Sequence, residues 1–192
     1  MKNLEKNIFE YLSRNLSPKR FEHSYNVSEF AVKLASLHGE NILKARIAAL
    51  LHDCAKNMSG GELVKLCARA KIKIRYFEEI KKNAPHLLHS HVSAYIARKH
   101  FNIKDKNILA AIENHTLGRP DMSVLEKIIF VADFASIDRK HKHVSKIRKL
   151  AMTNPEEAFI YALADGIKYV VDKGLWLCRQ TVDTWNYYAK KN

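Results

Sequence analysis

The chain of 192 residues has a formal net charge of +13 at pH 7 and contains only six glycines and four prolines. Its length suits one domain, and its composition favours an all-α fold. No apolar run is long enough to span a membrane, and the first residues lack the apolar segment of a secretory signal. The positive charge favours an anionic partner such as a nucleic acid or a phosphorylated metabolite, although a lysine-rich surface alone would also explain it.

The cysteine content bears on the cellular compartment. Cys54, Cys67 and Cys178 are odd in number and form no CxxC pair. This pattern argues against a disulfide framework and against a cysteine zinc site. It predicts reduced thiols in a cytoplasmic protein, and no membrane partner is expected.

Capping and breaking residues divide the chain into helices, with no alternating strand pattern. The pair Ser17-Pro18 predicts a capped helix start, and Gly39 can take the left-handed conformation that ends this helix. Asp105 and Ser123 are predicted to begin two later helices, and Gly60-Gly61 is predicted to break the chain. The helices are expected at residues 3–15, 18–39, 41–53, 62–82, 87–101, 105–115, from 123 onward, 155–174 and 176–190.

Five of these helices place a histidine or an aspartate in line with apolar residues three or four positions apart. His23, for example, lies on the stripe of Val27, Phe30 and Leu34, which is predicted to face the core. One buried histidine is an ordinary core residue, but several imidazoles and carboxylates in one core would leave polar groups without partners. A metal cluster resolves that conflict, because these groups suit iron, manganese or zinc. The residues predicted to face inward are His23, His52, Asp53, His89, His115 and Asp133.

The order His…His-Asp…His…His…Asp resembles the HD-domain superfamily of metal-dependent phosphohydrolases. It is most similar to the YqeK family of bacterial HD proteins, which act as symmetrical diadenosine tetraphosphate hydrolases. The family-specific part is the segment His115 to Pro120 together with Val131-Ala132-Asp133. The resemblance implies one HD-domain helical bundle over residues 1–192, with a metal-binding core at about 18–140 and C-terminal helices at 144–190 packed on it. The other matching segments are Arg20 to His23, Leu50 to Lys56, Leu88 to Tyr95 and Leu125 to Phe130.

The resemblance also implies a centre with two divalent metal ions, for which iron is expected, with manganese and zinc as alternatives. A hydroxide between the metals would attack phosphorus and cleave diadenosine tetraphosphate at its centre to give two ADP. The expected ligands of the first metal are His23, His52, Asp53 and Asp133, and those of the second are His89, His115 and the bridging Asp53.

Several residues near these ligands are candidates for substrate contacts. Lys56 lies one helical turn beyond His52 and is expected to act with Asp53 as a catalytic residue. Arg119 offers a planar fork to a phosphate, and its loop adds a hydroxyl and a backbone amide. A solvated surface role is the alternative for Arg20, Arg139 and Lys56, and an ordinary turn is the alternative for the loop of Arg119. The predicted substrate-binding residues are Arg20, Lys56, Thr116, Gly118, Arg119 and Arg139.

One position departs from the pattern of the YqeK family. After Val-Ala-Asp, that family usually has an aromatic residue, then Ile-Glu-Pro, and an arginine two positions later. This chain has Phe134-Ala135-Ser136-Ile137-Asp138-Arg139, so that Ser136 replaces the glutamate while Arg139 is kept. The replacement affects whatever contact the glutamate makes and leaves the six expected ligands unchanged.

Other functions stay open on the sequence alone. The nearest is hydrolysis of a different nucleotide, including one linked to NAD metabolism. A basic nucleic-acid-binding domain with a structural metal site is the other, although the lysines are scattered and no nucleic-acid motif is present. An exposed apolar helix face would allow a homodimer. Outside the motifs, His91 is predicted to lie at the surface, and Trp176 is predicted to help pack the last helix onto the bundle.

Overall fold

The computed structural model describes residues 2–190, and these form eleven α-helices and one short 3₁₀ helix without a β-strand. The all-α prediction is therefore confirmed. None of these helices is long and apolar enough to cross a lipid bilayer. The helices are α1 (Lys2–Asn15), α2 (Pro18–Leu37), α3 (Ile42–Leu51), α4 (Gly60–Arg69), α5 (Phe77–Asn83), the 3₁₀ helix (Pro85–Leu88), α6 (His89–Lys99), α7 (Lys106–Asn114), α8 (Val124–Ala135), α9 (Val144–Ala151), α10 (Pro155–Asp172) and α11 (Arg179–Ala189).

Short polar side chains begin several helices as predicted. Asp105 accepts two backbone N–H bonds at the start of α7, and Ser123 forms a capping box with Glu126 at the start of α8. Ser17 differs, because its hydroxyl makes no capping hydrogen bond to α2. The ring of Pro18 suffices there, since proline at the first helical position has the right φ and needs no N–H partner.

The predicted single helix over residues 62–82 is wrong, because the chain forms the two helices α4 and α5. Lys71 and Tyr76 lie between them with φ angles of 52° and 60°, which are incompatible with a continuing right-handed helix. The predicted chain break lies before Gly60, since α4 begins at this residue. The sequence signal for that start is the capping box between Ser59 and Glu62.

Helix α8 lies in the middle of the bundle. Its residues from Leu125 to Ala132 are all buried, and α2, α3, α7, α9 and α10 pack against it. Phe130 of α8 meets Phe159 of α10 edge to face, with ring centroids 5.0 Å apart. The helices after residue 144 therefore share a core with the helices that contain the HD motifs.

A second, smaller apolar cluster lies under α4, α5 and the 3₁₀ helix. Leu63, Ile80, Leu88 and Val92 are at most 1% exposed and form its interior. This cluster holds the 3₁₀ helix in place directly before His89, the first residue of α6. All three cysteines are free and buried.

Candidate metal centre

Six polar side chains meet inside the bundle: the five that the helical stripes predicted to face inward, and Asp53, which is adjacent to His52 in sequence. Their nitrogen and oxygen atoms form three overlapping groups in which all ligand atoms lie within 4.8 Å of one another. We call these six residues the His/Asp cluster. The groups are His23 with His52 and Asp53, His52 with His115 and Asp133, and Asp53 with His89 and His115.

Most members of the cluster lie at helix ends, where the chain turns toward the core. His52 and Asp53 follow the last residue of α3, and His115 follows the last residue of α7. His89 is the first residue of α6, and Asp133 lies in the last turn of α8. The four histidines of the cluster are at most 4% exposed. Burial of that degree requires a partner for each ring nitrogen.

Asp53 lies between the two halves of the cluster. Its Oδ1 is 3.0 Å from Nε2 of His89 and 3.4 Å from Nε2 of His115. Its Oδ2 is 3.8 Å from Nε2 of His52 and accepts a hydrogen bond from Nη1 of Arg20 at 3.3 Å. Each carboxylate oxygen thus faces a different set of imidazoles.

The hydrogen bonds of Nδ1 set the tautomers of three histidines. In His52, His89 and His115, Nδ1 donates to the backbone carbonyl three residues earlier, at 2.6, 2.6 and 2.7 Å. A carbonyl oxygen can only accept, so the proton lies on Nδ1 and Nε2 presents a lone pair. A histidine that binds a metal through Nε2 needs this arrangement.

The donor atoms fit divalent metal ions. Nε2 of His89 lies 3.3 Å from Nε2 of His115, and two unprotonated nitrogens repel at that distance unless a cation lies near both. Among the described residues, Nε2 of His52 and Oδ1 of Asp53 are buried without a hydrogen bond. The nitrogens nearest Oδ1 are Nε2 of His89 and of His115, which carry lone pairs and cannot donate to it. Neutral imidazole nitrogens and carboxylate oxygens are the ligands that iron, manganese and zinc accept.

Burial sets the charge of two imidazoles. It lowers the pKa of His52 to about 4 and that of His89 to about 4. At His89 the nearby Lys56 ammonium lowers the pKa further. Both imidazoles are therefore neutral at pH 7, as metal ligands must be.

Neighbouring groups override burial at the two carboxylates and at the first histidine. Burial would raise the pKa of Asp53 and of Asp133, but the imidazoles around each of them hold it well below its usual range. Burial would lower the pKa of His23, but the hydrogen bond with Asp133, at 2.9 Å, raises it. The cluster thus holds two ionised carboxylates beside neutral His52 and His89.

Three cations and one hydroxyl contact the cluster. Nζ of Lys56 donates to Nε2 of His89 at 2.9 Å. Arg139 donates to the carboxylate of Asp133 and, through Nε, to its backbone carbonyl at 2.9 Å. Oγ1 of Thr116 lies 3.0 Å from Nε2 of His115. Of the predicted substrate-binding residues, the structure places four here, namely Arg20, Lys56, Thr116 and Arg139.

Arg119, another predicted substrate-binding residue, contacts Glu126 and Pro120, and its role toward substrate stays a prediction. Its Nε and Nη2 each donate to the carboxylate of Glu126 at 2.7 Å, and its Nη1 donates to the carbonyl of Pro120 at 2.9 Å. Glu126 is 1% exposed, so the guanidinium neutralises a buried charge. Three of its five N–H groups donate to this loop and to the start of α8, and the side chain is 40% exposed.

Gly118 serves the packing of the loop, and its predicted contact with substrate stays a prediction. Its backbone N–H donates to the carbonyl of Asn114 at 2.9 Å. Its φ of +67° lies in the left-handed region, and a Cβ at this position would stand 2.7 Å from Cγ2 of Thr184. Glycine therefore lets α11 approach the loop that contains Thr116.

We expect Arg119→Gln to lower stability and to leave substrate affinity unchanged. Loss of the guanidinium leaves the Glu126 carboxylate with fewer partners, which costs about 1–3 kcal/mol for a buried acceptor. Urea unfolding and KM measure the two effects. Arg20→Gln is the matched comparison, because Arg20 contacts Asp53, and there we expect a higher KM with little loss of stability. A higher KM at unchanged stability for Arg119→Gln would restore the predicted phosphate contact.

Asp138 is a site residue that the sequence motifs do not include. Its Oδ2 lies 2.8 Å from Nδ1 of His23. It follows two residues after Ser136, which is fully buried at the end of α8. The carboxylate that the YqeK pattern has at position 136 is absent, but this loop does bring a carboxylate to the cluster. An acidic residue closely following a predicted ligand is the only sequence signal for it.

Two further histidines differ in their roles. His91 is 4% exposed, so the predicted surface position is wrong. Its Nδ1 lies 3.1 Å from Oε1 of Glu113 and links α6 to α7, the two helices next to His89 and His115. His86 lies outside the His/Asp cluster, and its carbonyl accepts the Nδ1 proton of His89.

A cleft of about 410 Å³ borders the His/Asp cluster. Among its lining residues, His115 and Asp133 belong to the cluster, and Thr116, Arg139 and His86 contact it. The remaining walls come mainly from the 3₁₀ helix, α8, α10 and the segment before α11. We call this space the apolar cleft, because its walls include Leu87, Phe130, Phe134, Leu163, Val170, Leu175 and Trp176.

Comparison with known proteins agrees with this site. Residues 20–168 match the family model of the HD domain, which places the chain among the HD-domain hydrolases. The chain is 37% identical over 172 residues to a symmetrical bis(5'-nucleosyl)-tetraphosphatase of Halalkalibacterium halodurans, with 90% of each chain covered. A protein of the same name from Bacillus subtilis is 33% identical over 176 residues, with 92% of each covered.

A crystal structure from Clostridium acetobutylicum superposes with a TM-score of 0.93 at 38% sequence identity, covering 98% of each chain. It is described as a predicted HD superfamily hydrolase involved in NAD metabolism. The chain belongs to the YqeK-like family of symmetrical bis(5'-nucleosyl)-tetraphosphatases within the HD-domain hydrolases. The resemblance found in the sequence is confirmed.

Proposed function

We propose that this chain is a metal-dependent phosphohydrolase that cleaves diadenosine tetraphosphate symmetrically to two ADP. The observation that supports this most is the position of the His/Asp cluster. Its ligand atoms lie close together, three cations contact it, and it borders the apolar cleft. A substrate with a polyphosphate chain between two nucleosides matches that combination. The names of the relatives from Halalkalibacterium halodurans and Bacillus subtilis describe the same reaction.

The proposed centre holds two divalent metal ions, iron in the first place, with manganese and zinc, which accept the same ligands, as alternatives. When bound, such ions supply a nucleophile at neutral pH and neutralise charge on the phosphoryl oxygens. The two carboxylate oxygens of Asp53, which face different imidazoles, support a bridging role. The proposed ligands are His23, His52, Asp53 and Asp133 on one side, and Asp53, His89 and His115 on the other.

The cations around the cluster suit a polyphosphate. Lys56 is 26% exposed and Arg20 is 39% exposed in their side chains, so both can reach a ligand from the open side of the cluster. Arg139 lines the apolar cleft and contacts Asp133. Charge-assisted hydrogen bonds from these groups would hold the phosphates in line, which is most of what phosphoryl transfer requires. Thr116 adds a neutral donor.

The apolar cleft suits one nucleoside of the substrate. Its volume falls within the range of small-molecule sites, and its apolar walls offer aromatic faces to a base. Trp176 and Phe134 are the aromatic residues we propose for base stacking, in addition to packing. Because a cleft of about 410 Å³ suits one nucleoside better than two, the second nucleoside would lie outside it.

Product analysis tests this proposal. The purified chain is loaded with Fe²⁺ or Mn²⁺ and incubated with diadenosine tetraphosphate, and the nucleotides are separated by chromatography. ADP as the sole product would support symmetrical cleavage. AMP together with ATP would contradict the proposed position of attack. If the metal-loaded protein does not turn over diadenosine tetraphosphate, a different nucleotide would become the favoured substrate.

A different nucleotide is the second candidate, and the relative from Clostridium acetobutylicum is the observation that favours it. The same assay with pyridine mononucleotides and dinucleotides tests a link to NAD metabolism. Nucleic-acid binding stays the third alternative, and it predicts RNA or DNA affinity that falls steeply with salt.

The cytoplasmic location and the homodimer stay predictions, which fractionation and light scattering would test.

A further inference from the structure

His23 differs from the other three histidines of the cluster in the partner of its Nδ1. His52, His89 and His115 each donate to a neutral backbone carbonyl of their own segment. His23 instead has the carboxylate Oδ2 of Asp138 at 2.8 Å from Nδ1. Its Nε2 meanwhile faces Oδ1 of Asp133 at 2.9 Å.

Asp138 reaches His23 from a loop that is held in place. Nε of Arg148 donates to the carbonyl of Ala135 at 2.7 Å, and its Nη2 donates to the carbonyls of Ser136 and Arg139. The backbone N–H of Arg139 also donates to the carbonyl of Ser136 at 2.9 Å. These bonds fix the backbone on both sides of Asp138. The contact with His23 is therefore a built feature of the fold, made across 115 positions of sequence.

We infer that Asp138 is a positioning residue that orients His23 and strengthens its Nε2 as a metal ligand. An anionic acceptor on Nδ1 holds the ring tautomer more firmly than a carbonyl and raises the electron density at Nε2. The effect is local to the half of the cluster that contains His23 and Asp133. The other half depends on carbonyl acceptors alone. This inference rests on the proposed two-metal centre.

The expected consequence is an unequal loss of metal when the charge is removed. Loss of such an outer carboxylate lowers metal affinity about 10–100-fold in other proteins. Asp138→Asn keeps the size and the acceptor oxygen and removes the charge. We therefore expect the metal on the side of His23 and Asp133 to bind about 10–100-fold more weakly. Asp138→Ala removes the acceptor as well and should weaken the same metal at least as much. The metal between His89 and His115 should bind as in the wild type.

The test is a Mn²⁺ titration of the metal-free protein, in which electron paramagnetic resonance measures the unbound Mn²⁺. Asp165→Asn is the matched control, because Oδ1 of Asp165 contacts Nδ1 of His143 at 2.5 Å, outside the His/Asp cluster. It removes the same charge from the same kind of pair, and we expect it to bind Mn²⁺ as the wild type does. Thermal unfolding of each metal-free variant measures folding separately.

The outcomes separate the inference from the proposed function. Two Mn²⁺ in the wild type and one weakened Mn²⁺ in Asp138→Asn would support both. Two unchanged affinities in Asp138→Asn, or equal weakening of both ions, would overturn the role of Asp138 and leave the two-metal centre standing. A single Mn²⁺ in the wild type would contradict the two-metal centre. The inference about Asp138 would then be retained only if Asp138→Asn weakens that ion.

Discussion

Asp53→Asn should reduce kcat for diadenosine tetraphosphate about a thousandfold or more and should lower the metal content of the protein. The magnitude corresponds to the several kcal/mol that metal ions contribute to phosphoryl transfer. In the structure the two oxygens of Asp53 face different imidazoles, Oδ1 toward His89 at 3.0 Å and Oδ2 toward His52 at 3.8 Å. An amide keeps one oxygen and replaces the other by a donor, so the side chain can no longer offer an anionic oxygen to each half of the cluster.

The variant is isosteric, so packing around it changes little, and the metal content can be measured by mass spectrometry beside the rate. Asp172→Asn is the control, because Asp172 lies on the surface and forms an exposed ion pair with Lys168 of the same helix. We expect this control to keep full activity and full metal content. Activity of Asp53→Asn within tenfold of the wild type would exclude a bridging role for this carboxylate.

His52 and His89 together should lower the stability of the metal-free protein by about 4 kcal/mol between pH 7.5 and pH 5. His52 and His89 have pKa values of about 4 in the folded state, below the ordinary value near 6.5. Between these values the unfolded chain binds protons that the folded chain does not. Stability from this source is therefore full above pH 6.5 and falls as the pH drops toward 4, by about 2 kcal/mol for each imidazole at pH 5.

Other groups in the cluster change this window little or act in the opposite direction. The pKa of His23 is raised, so its contribution is present below pH 6.5 and is lost as the pH rises through the folded value. The carboxylates of Asp53 and Asp133 stay ionised throughout, because their pKa values lie well below the usual range. Urea unfolding in EDTA at several pH values measures the sum. His89→Gln should lose about half of the pH dependence, and a flat profile for the wild type would mean that these imidazoles are charged in the fold.

Five members of the His/Asp cluster were predictable because helical periodicity relates each one to apolar neighbours on its own helix, and Asp53 was predictable because it is adjacent to His52. A polar residue on such a stripe is recognised from a window of a few turns. Periodicity did not predict the boundary between helices α4 and α5. Lys71 and Tyr76 adopt left-handed conformations there, which lysine and tyrosine rarely do.

Side-chain partners across loops were beyond the reach of the sequence. Arg119 has the residue type of a phosphate ligand, and only the folded loop shows that Glu126 occupies its guanidinium. Gly118 has the residue type of an anion-binding turn. Only the folded structure shows that Thr184 of α11 packs so closely against this position that a side chain would not fit. Asp138 contacts a residue 115 positions away. Such partnerships depend on tertiary packing rather than on local pattern.

The joining of distant segments at the His/Asp cluster bears on how the protein acquires its cofactor. His23 and Asp133 are 110 positions apart, and the remaining members lie on three segments between them. Closing such long loops is entropically costly, so these side chains come together only when most of the core has assembled. A nascent chain would therefore offer no complete ligand set to a metal ion. Metal incorporation becomes a late step of maturation, because the complete ligand set exists only once the core has folded.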